Sequence, residues 1–306
     1  MKRYILKHIL ISLATLLVLV TVVFALVRLM PGDPFSSEKM TPQVRQNLER
    51  YYGFDKPVLE QYLTYMGRLV RGDLGYSMKY ANVTVNEIIA KAFPYSADLG
   101  LRALAIAVSV GLTLGVVSAL NRKKPIDAVC VVVAIIGTSI PDFIMGYVLQ
   151  YFFGIRWGLL PIAQYKGFAY TILPSVGLGF YTLALVSRLM RSSMLEVVQQ
   201  DYVKTAKAKG ASRFRIVRKH MIRNAILPIV TVLGPITASV LTGTFVIESI
   251  FAIPGMGKFY VSSVQSLDYT LVLGMTVFFG AFLVTANLIV DVLYGIVDPR
   301  IRVARG

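Results

Sequence analysis

Residues 99–120 read LGLRALAIAVSVGLTLGVVSAL, twenty-two positions whose single charge is Arg102. As a helix rising about 1.5 Å per residue, this stretch runs roughly 33 Å, enough to cross the roughly 30 Å hydrocarbon layer of a bilayer. Working outward, five more stretches pass the same test: Ile9 to Met30, Ala128 to Ile155, Gly167 to Ser187, Asn224 to Ile247 and Tyr269 to Val297. The composition agrees, because a 306-residue chain that is 56% hydrophobic, 16% charged and of mean hydropathy +0.65 has more apolar surface than a soluble core can hide. The expected fold class is an all-α membrane protein with six transmembrane helices. Lys2, Arg3 and Lys7 precede the first stretch as in a secretory signal. That stretch is long and exits at Met30-Pro31-Gly32-Asp33 without a small-x-small cleavage pattern, so it is expected to be an uncleaved anchor.

Charge sets the orientation. The net charge of +16 would suggest nucleic acid in a soluble protein, but segments 1–8, 121–127, 188–223 and 298–306 hold 19 of the 32 Lys and Arg with four acids, a net of +15. Segment 31–98 carries eight basic and eight acidic residues. The positive-inside rule then places both termini in the cytoplasm and 31–98 outside. With the charge explained by topology and no base-reading motif present, no nucleic-acid partner is expected. Cys130 is the one cysteine and His8 and His220 the two histidines, which excludes an intrachain disulfide and argues against a metal or histidine-based catalytic site.

The external segment has helix punctuation. Thr41-Pro42 reads as an N-cap and first helical residue, with Gly53 as the stop. Pro57 to Arg71 repeats the pattern, with Leu59, Tyr62, Leu63, Met66, Leu69 and Val70 on one face and Gly72 as the stop. A small helical region packed on the membrane helices follows. Trp157-Gly158-Leu159-Leu160-Pro161 admits two readings, a re-entrant dip and an interfacial tryptophan anchor.

The loop from Arg188 to Arg223 has twelve charges in 36 residues. Ser193-Met-Leu-Glu196 has capping-box spacing, so a helix continues or restarts there. Asp201 is expected to cap a helix over Tyr202 to Lys209 that Gly210 ends, and Ser212 a third helix running from Arg213 toward Pro228. Two turns are too short to be stable alone, so something must hold Tyr202 to Lys209 in place. The bland reading is an ordinary basic loop; the functional one is a docking helix for a cytoplasmic partner.

Asp201-Tyr202-Val-Lys204-Thr205-Ala206-Lys207-Ala208-Lys209-Gly210, with His220-Met-Ile-Arg223-Asn224-Ala225-Ile-Leu227-Pro228, resembles the coupling loop of peptide-type ABC importer permeases. Lys204-Thr205-Ala206 stand where the general motif has Glu-Ala-Ala. Further motifs extend the resemblance almost end to end. They include Arg28-Leu29-Met30-Pro31-Gly32-Asp33-Pro34, Tyr52-Gly53-Phe54-Asp55-Lys56-Pro57, Gly72-Asp73-Leu74-Gly75-Tyr76-Ser77, Ser139-Ile140-Pro141-Asp142-Phe143, Arg191-Ser192-Ser193-Met194-Leu195-Glu196, Glu248-Ser-Ile-Phe251-Ala-Ile-Pro254-Gly255-Met-Gly257 and Asp298-Pro299-Arg300-Ile301-Arg302. Within the family, Phe35-Ser36-Ser37-Glu38-Lys39 and Tyr181 to Arg191 resemble the oligopeptide-permease B subunits more than their dipeptide, nickel and glutathione relatives.

The resemblance implies a type I ABC importer permease. Its parts would be an N-terminal cytoplasmic end and first helix (1–30), an external helical region (31–95), a permease core (96–297, with coupling loop 188–223) and a cytoplasmic tail (298–306). It also implies the bacterial plasma membrane, a second homologous permease, two cytoplasmic ABC ATPases that bind ATP and Mg, an extracytoplasmic peptide-binding protein and surrounding lipid. This chain would be a transport subunit, not an enzyme, and would bind no cofactor. In agreement, Gly-x-x-x-x-Gly-Lys-Ser/Thr is absent, and Gly255-x-Gly257-Lys258 runs on into Phe259. The resemblance makes Asp201, Tyr202, Thr205, Ala206, Lys207, Ala208, Lys209 and Gly210 the ATPase-coupling residues and oligopeptide the substrate, with dipeptide, nickel or glutathione as alternatives.

Charged residues inside a span carry functional hypotheses by default. Asp98 and Arg102, one turn apart, are expected to pair. Asp142 after Pro141 is expected either to satisfy freed backbone groups or to line the pathway. Glu248 with Phe251 is a candidate gate, and Asp291 is expected to pair with basic loop residues. Two other classes stay open on the residues alone: a secondary transporter, for which Pro228 and Pro235 would break span five but no matching half is visible, and a scaffold, which would not need the docking helix.

Overall fold

The computed structural model describes residues 2–29, 53, 56–80, 82–241 and 245–297, which are overwhelmingly helical, with one isolated bridge between Tyr76 and Thr84 and no strand among them. In chain order the helices are α1 (Lys2–Leu29), α2 (Val58–Val70), α3 (Val85–Leu120), α4 (Pro125–Ser139), α5 (Asp142–Arg156), α6 (Phe168–Val197), α7 (Asp201–Ala208), α8 (Arg213–Ala225), α9 (Leu227–Leu241), α10 (Phe245–Ile250), α11 (Met256–Gln265) and α12 (Tyr269–Val297). Among the described residues, α1, α3, α6 and α12 are each long and apolar enough to cross a membrane. The number is six if each of the bent pairs α4–α5 and α8–α9 is one span.

Two expected spans are therefore not straight. Ala128 to Ile155 is two helices meeting at 114°. The cause is Ile140-Pro141: the ring of a proline drives the preceding residue out of the helical region, and Ile140 sits at φ −93°, ψ 125°. Pro141 then enters α5 as its N-cap, where its missing N–H costs nothing. Asn224 to Ile247 is likewise divided, with α8 and α9 bent by 51° near Ile226. Pro228 lies in the first turn of α9, and Pro235 sits inside that helix without ending it, so only one of the two prolines coincides with a break. In the opposite direction, α3 starts at Val85 and not Leu99, because Thr84-Val-Asn-Glu87 is a capping sequence in which the Glu87 N–H donates to Thr84 Oγ1 at 3.1 Å. The Thr41-Pro42 helix start and the 298–306 tail lie outside the described residues, as does the side chain of Asp291.

The chain forms two compact units, 96–254 and 1–95 with 255–306. In the first, α6 is the central helix, buried along most of its length. Glycines let its neighbours close on it. A Cβ at Gly115 of α3 would lie 2.6 Å from the Met190 Cβ and 2.7 Å from the Ser187 carbonyl oxygen, and one at Gly137 of α4 would lie 2.6 Å from the Ala184 Cβ. Gly111-x-x-x-Gly115 is the small-residue spacing that membrane helices use for such approaches. Gly115→Leu is expected to push α3 off α6 at a cost of about 1–3 kcal/mol. In detergent the variant should show a lower melting temperature and reduced membrane abundance, whereas Gly67→Leu, with nothing within 4 Å of its Cβ, should change neither.

In the second unit α1 packs along α12. Asp268 is fully buried and caps α12 by accepting from the Leu271 N–H at 3.0 Å, while its other carboxylate oxygen accepts from the Ser77 hydroxyl and from the Lys79 N–H at 3.2 Å. Met256, Leu271 and Met275 pack against Val85, Ile88 and Ile89 beside it. α2 starts after Pro57, and Gly72 follows it at φ +77°, as the punctuation predicts. Its expected apolar face divides: Tyr62 turns toward Phe24, while Leu59, Leu63 and Val70 are exposed.

Candidate functional site

The loop between α6 and α9 builds from its ends inward. α6 continues through Ser193 to Val197, so the capping-box spacing marks continuation and not a restart. Gln200, at φ −72° and ψ 146°, is the residue that turns the chain into α7, and Asp201 becomes the first helical residue. The expectation that Asp201 caps is thus off by one. Its carboxylate still lies at the positive end of the helix and accepts from Lys204 Nζ at 2.8 Å, which holds the Asp201 carboxyl below the usual carboxylate range. Both side chains are exposed, so the pair adds little stability.

The other end of α7 is a complete Schellman cap. The Gly210 N–H donates to the Lys207 carbonyl at 3.0 Å and the Ala211 N–H to the Ala206 carbonyl at 3.2 Å, with Gly210 at φ +74°. A glycine is required there because a Cβ is disfavoured in the left-handed region. Ser212 then caps α8, its Oγ accepting from the Arg215 N–H at 3.4 Å, as its spacing predicts.

What holds α7 is Val203, 6% exposed among Val186, Met190, Met194, Ile216, Met221, Ala225 and Ile229, with Ala206 packed against the same cluster. Residues 216–222 form a π-helical turn, whose i to i+5 repeat brings Ile216 and Met221, five residues apart, onto one buried face. Asp201, Tyr202, Thr205, Lys207, Ala208, Lys209 and Gly210 are exposed, so the eight expected coupling residues form one outward surface apart from half-buried Ala206. Sequence reading missed Val203. The available signal was one β-branched apolar residue three positions before Ala206 in an otherwise charged turn.

A second missed feature lies next to it. Asp127 at the start of α4 is 6% exposed and accepts from Arg191 Nε at 2.8 Å, Arg191 Nη2 at 3.0 Å, the Ser118 hydroxyl and the Lys123 N–H at 3.1 Å. This bidentate pair ties α3, α4 and α6 together one residue from Met190. Its signal was a lone acid after Arg122-Lys123-Lys124.

The intramembrane candidates separate. Asp98 and Arg102 pair at 2.7 Å as expected, and the Tyr165 hydroxyl donates to Asp98 at 2.6 Å. Glu248 and Phe251 come together but are 0% and 1% exposed: the Ser96 hydroxyl donates to Glu248 Oε1 at 2.6 Å and the Gln164 N–H to the Phe251 carbonyl at 2.8 Å. They are packed rather than lining an open path. Asp142, partly exposed at the start of α5, makes no side-chain hydrogen bond among the described residues, and the Ile140 N–H is satisfied by the Ile136 carbonyl at 2.9 Å, so the backbone-satisfying role is not the one seen. Among the described residues no group of three or more His, Cys, Asp or Glu could hold a metal ion.

Residues 111–303 match the family model described as the binding-protein-dependent transport system inner membrane component, and residues 1–100 match that of the N-terminal part of such components. The chain is 44% identical, over 99% of its length and 98% of the relative's, to the dipeptide transport system permease protein DppB of Bacillus subtilis. It is 42% identical to the oligopeptide transport system permease protein OppB of Haemophilus influenzae and 38% identical to that of Salmonella typhimurium, in each case over 99% of this chain and 100% of the relative. A crystal structure of an amino acid ABC transporter with histidines shares the fold, with a TM-score of 0.54 at 16% identity over 68% of this chain and 93% of that one.

Proposed function

Because the chain belongs to the family of binding-protein-dependent transport system inner membrane components, we propose that it is the permease subunit through which an ATP-driven importer moves peptides into the cytoplasm. The observation that carries the reading is α7: a two-turn helix capped at its C-terminus, anchored through Val203, with Tyr202 to Gly210 presented outward. In this reading α7 docks in a cleft of a partner ATPase. Closure of an ATPase pair pushes on α7, and Val203 passes the displacement to Met190 and Met194 of α6. The helix acts as a strut and forms no covalent bond. A second permease, two ATPases holding ATP and Mg, and an extracytoplasmic peptide-binding protein complete the assembly. The +15 balance supports placing both termini and α7 on the cytoplasmic side of a bacterial inner membrane. Glu248, held by Ser96, and Phe251 would form the packed outer closure, and Asp142 would line the pathway when it opens.

Oligopeptide is the substrate class the motif resemblance favours, and the OppB relatives support it. The DppB relative at 44% identity favours dipeptides as the second reading. Uptake of labelled dipeptide, pentapeptide and nickel in cells lacking the gene, complemented with wild type or variants, tests both. Pentapeptide uptake should depend on the gene; loss of nickel accumulation alone would overturn the peptide assignment. Gly210→Val should lower peptide uptake roughly five-fold or more, since a side chain at that φ costs about 1 kcal/mol and a β-branched one more. Gly210→Asn, which tolerates the left-handed region, should stay near wild type. Unchanged peptide-stimulated ATP hydrolysis in Gly210→Val would refute the coupling role.

A further inference from the structure

α2 has three faces. One turns inward: the Tyr62 ring meets Phe24 edge-on at 5.4 Å, its hydroxyl hydrogen-bonds Thr21 Oγ1 at 2.7 Å, and Tyr65 lies 6.0 Å from the same phenylalanine. A second is polar and exposed, with Glu60 and Thr64. The third is a stripe at i, i+4, i+7 and i+11 of Leu59, Leu63, Met66 and Val70, in which Leu59 is 69%, Leu63 60% and Val70 83% exposed. A row of such side chains at helical spacing is an interaction surface, because scattered single exposure is ordinary and a contiguous stripe is not.

Its place in the unit says what it meets. α2 is fastened to α1 at Thr21 and Phe24, in the last third of that helix before it ends at Leu29. α1 itself exposes Leu10, Leu13, Leu17, Val18, Val22 and Leu26, the surface of a helix bathed in lipid. The stripe is therefore carried by a helix fastened to one whose own apolar surface needs a bilayer. Cations stand where headgroups would be: Lys56 and Arg71 flank α2, and the Arg28 guanidinium lies 5.0 Å over the Phe24 ring at the same level. We infer that α2 is an interfacial membrane helix, with Leu59, Leu63, Met66 and Val70 sunk into the lipid leaflet at which α1 ends and Glu60 and Thr64 facing water. The occupant of the stripe is lipid, and the helix fixes the depth of the segment between α1 and α3.

The test is depth-dependent quenching in the full chain, with whatever subunits co-purify, reconstituted in phosphatidylcholine nanodiscs. In a Cys130→Ser background, single cysteines at Leu63, Glu60 and, as a lipid-facing control, Leu17 receive an environment-sensitive fluorophore. Acyl-chain-brominated phosphatidylcholine should quench the labels at 63 and 17 about two-fold, since an interfacial helix buries its apolar face about 5–10 Å deep. Aqueous iodide should quench the label at 60 and spare that at 63. Quenching at 17 without quenching at 63 overturns the inference. A label at 63 shielded from both bromine and iodide also overturns it, and assigns the stripe to protein, either residues 31–52 of this chain or a partner subunit.

Discussion

Val203→Asp is expected to abolish uptake, by about 100-fold or more, in a chain that remains in the membrane. A carboxylate placed where Val203 is 6% exposed among seven buried apolar residues would be desolvated without a partner, a penalty of several kcal/mol that the protein avoids by expelling the residue. α7 has no other anchor of that size, and a helix of eight residues has no stability of its own, so expulsion of Val203 also melts the proposed docking surface. Basal ATP hydrolysis by partner subunits should persist while its stimulation by peptide disappears. Lys204→Ala is the matched control. That residue sits one position on, is 67% exposed, and pairs only with a 94% exposed Asp201, so uptake should change less than about two-fold. Peptide-stimulated ATP hydrolysis surviving in Val203→Asp would show that coupling runs elsewhere.

The same residues show what the chain's sequence discloses and what it withholds. The helical class and the existence of the spans were legible, because twenty or more consecutive apolar residues leave few alternatives in a bilayer. Gly72, Gly210 and Ser212 stand where their turn chemistry requires, since caps are local effects. The 114° break at Ile140-Pro141 was not legible as an angle: a proline announces a discontinuity, but packing decides how far the chain turns. Val203 was hidden for a related reason. Its neighbours in the cluster lie at positions 186–194 and 216–229, and no spacing within the loop reveals a contact made through tertiary structure. Glu248 and Phe251 were found as a pair, but their hydrogen-bond partners Ser96 and Gln164 are far away in sequence.

Arg191→Ala should destabilise the fold beside the proposed coupling surface. It removes both guanidinium donors from an Asp127 carboxylate that is 6% exposed, leaving the Ser118 hydroxyl and the Lys123 N–H to stabilise the charge at the start of α4. With the Arg191 side chain 28% exposed, water replaces part of what is lost, and the change costs about 2–3 kcal/mol, against which an exposed pair such as Lys56–Glu60 is worth at most about 1 kcal/mol. At roughly 2–4 °C per kcal/mol for a unit of this size, the melting temperature of the purified protein should fall by about 5–10 °C. Adding Asp127→Leu should recover most of that loss, because the orphaned charge goes with it; a double-mutant cycle would read the coupling directly. The rescue should be incomplete for transport. Asp127 and Arg191 hold the ends of α3, α4 and α6 in register beside Met190 and Met194, and a leucine restores the burial without the fixed two-bond geometry. Stability recovered with uptake still reduced would separate the positioning role of the pair from its contribution to folding. A single Arg191→Ala variant that melts like wild type would mean that Asp127 is solvated and the pair positions nothing.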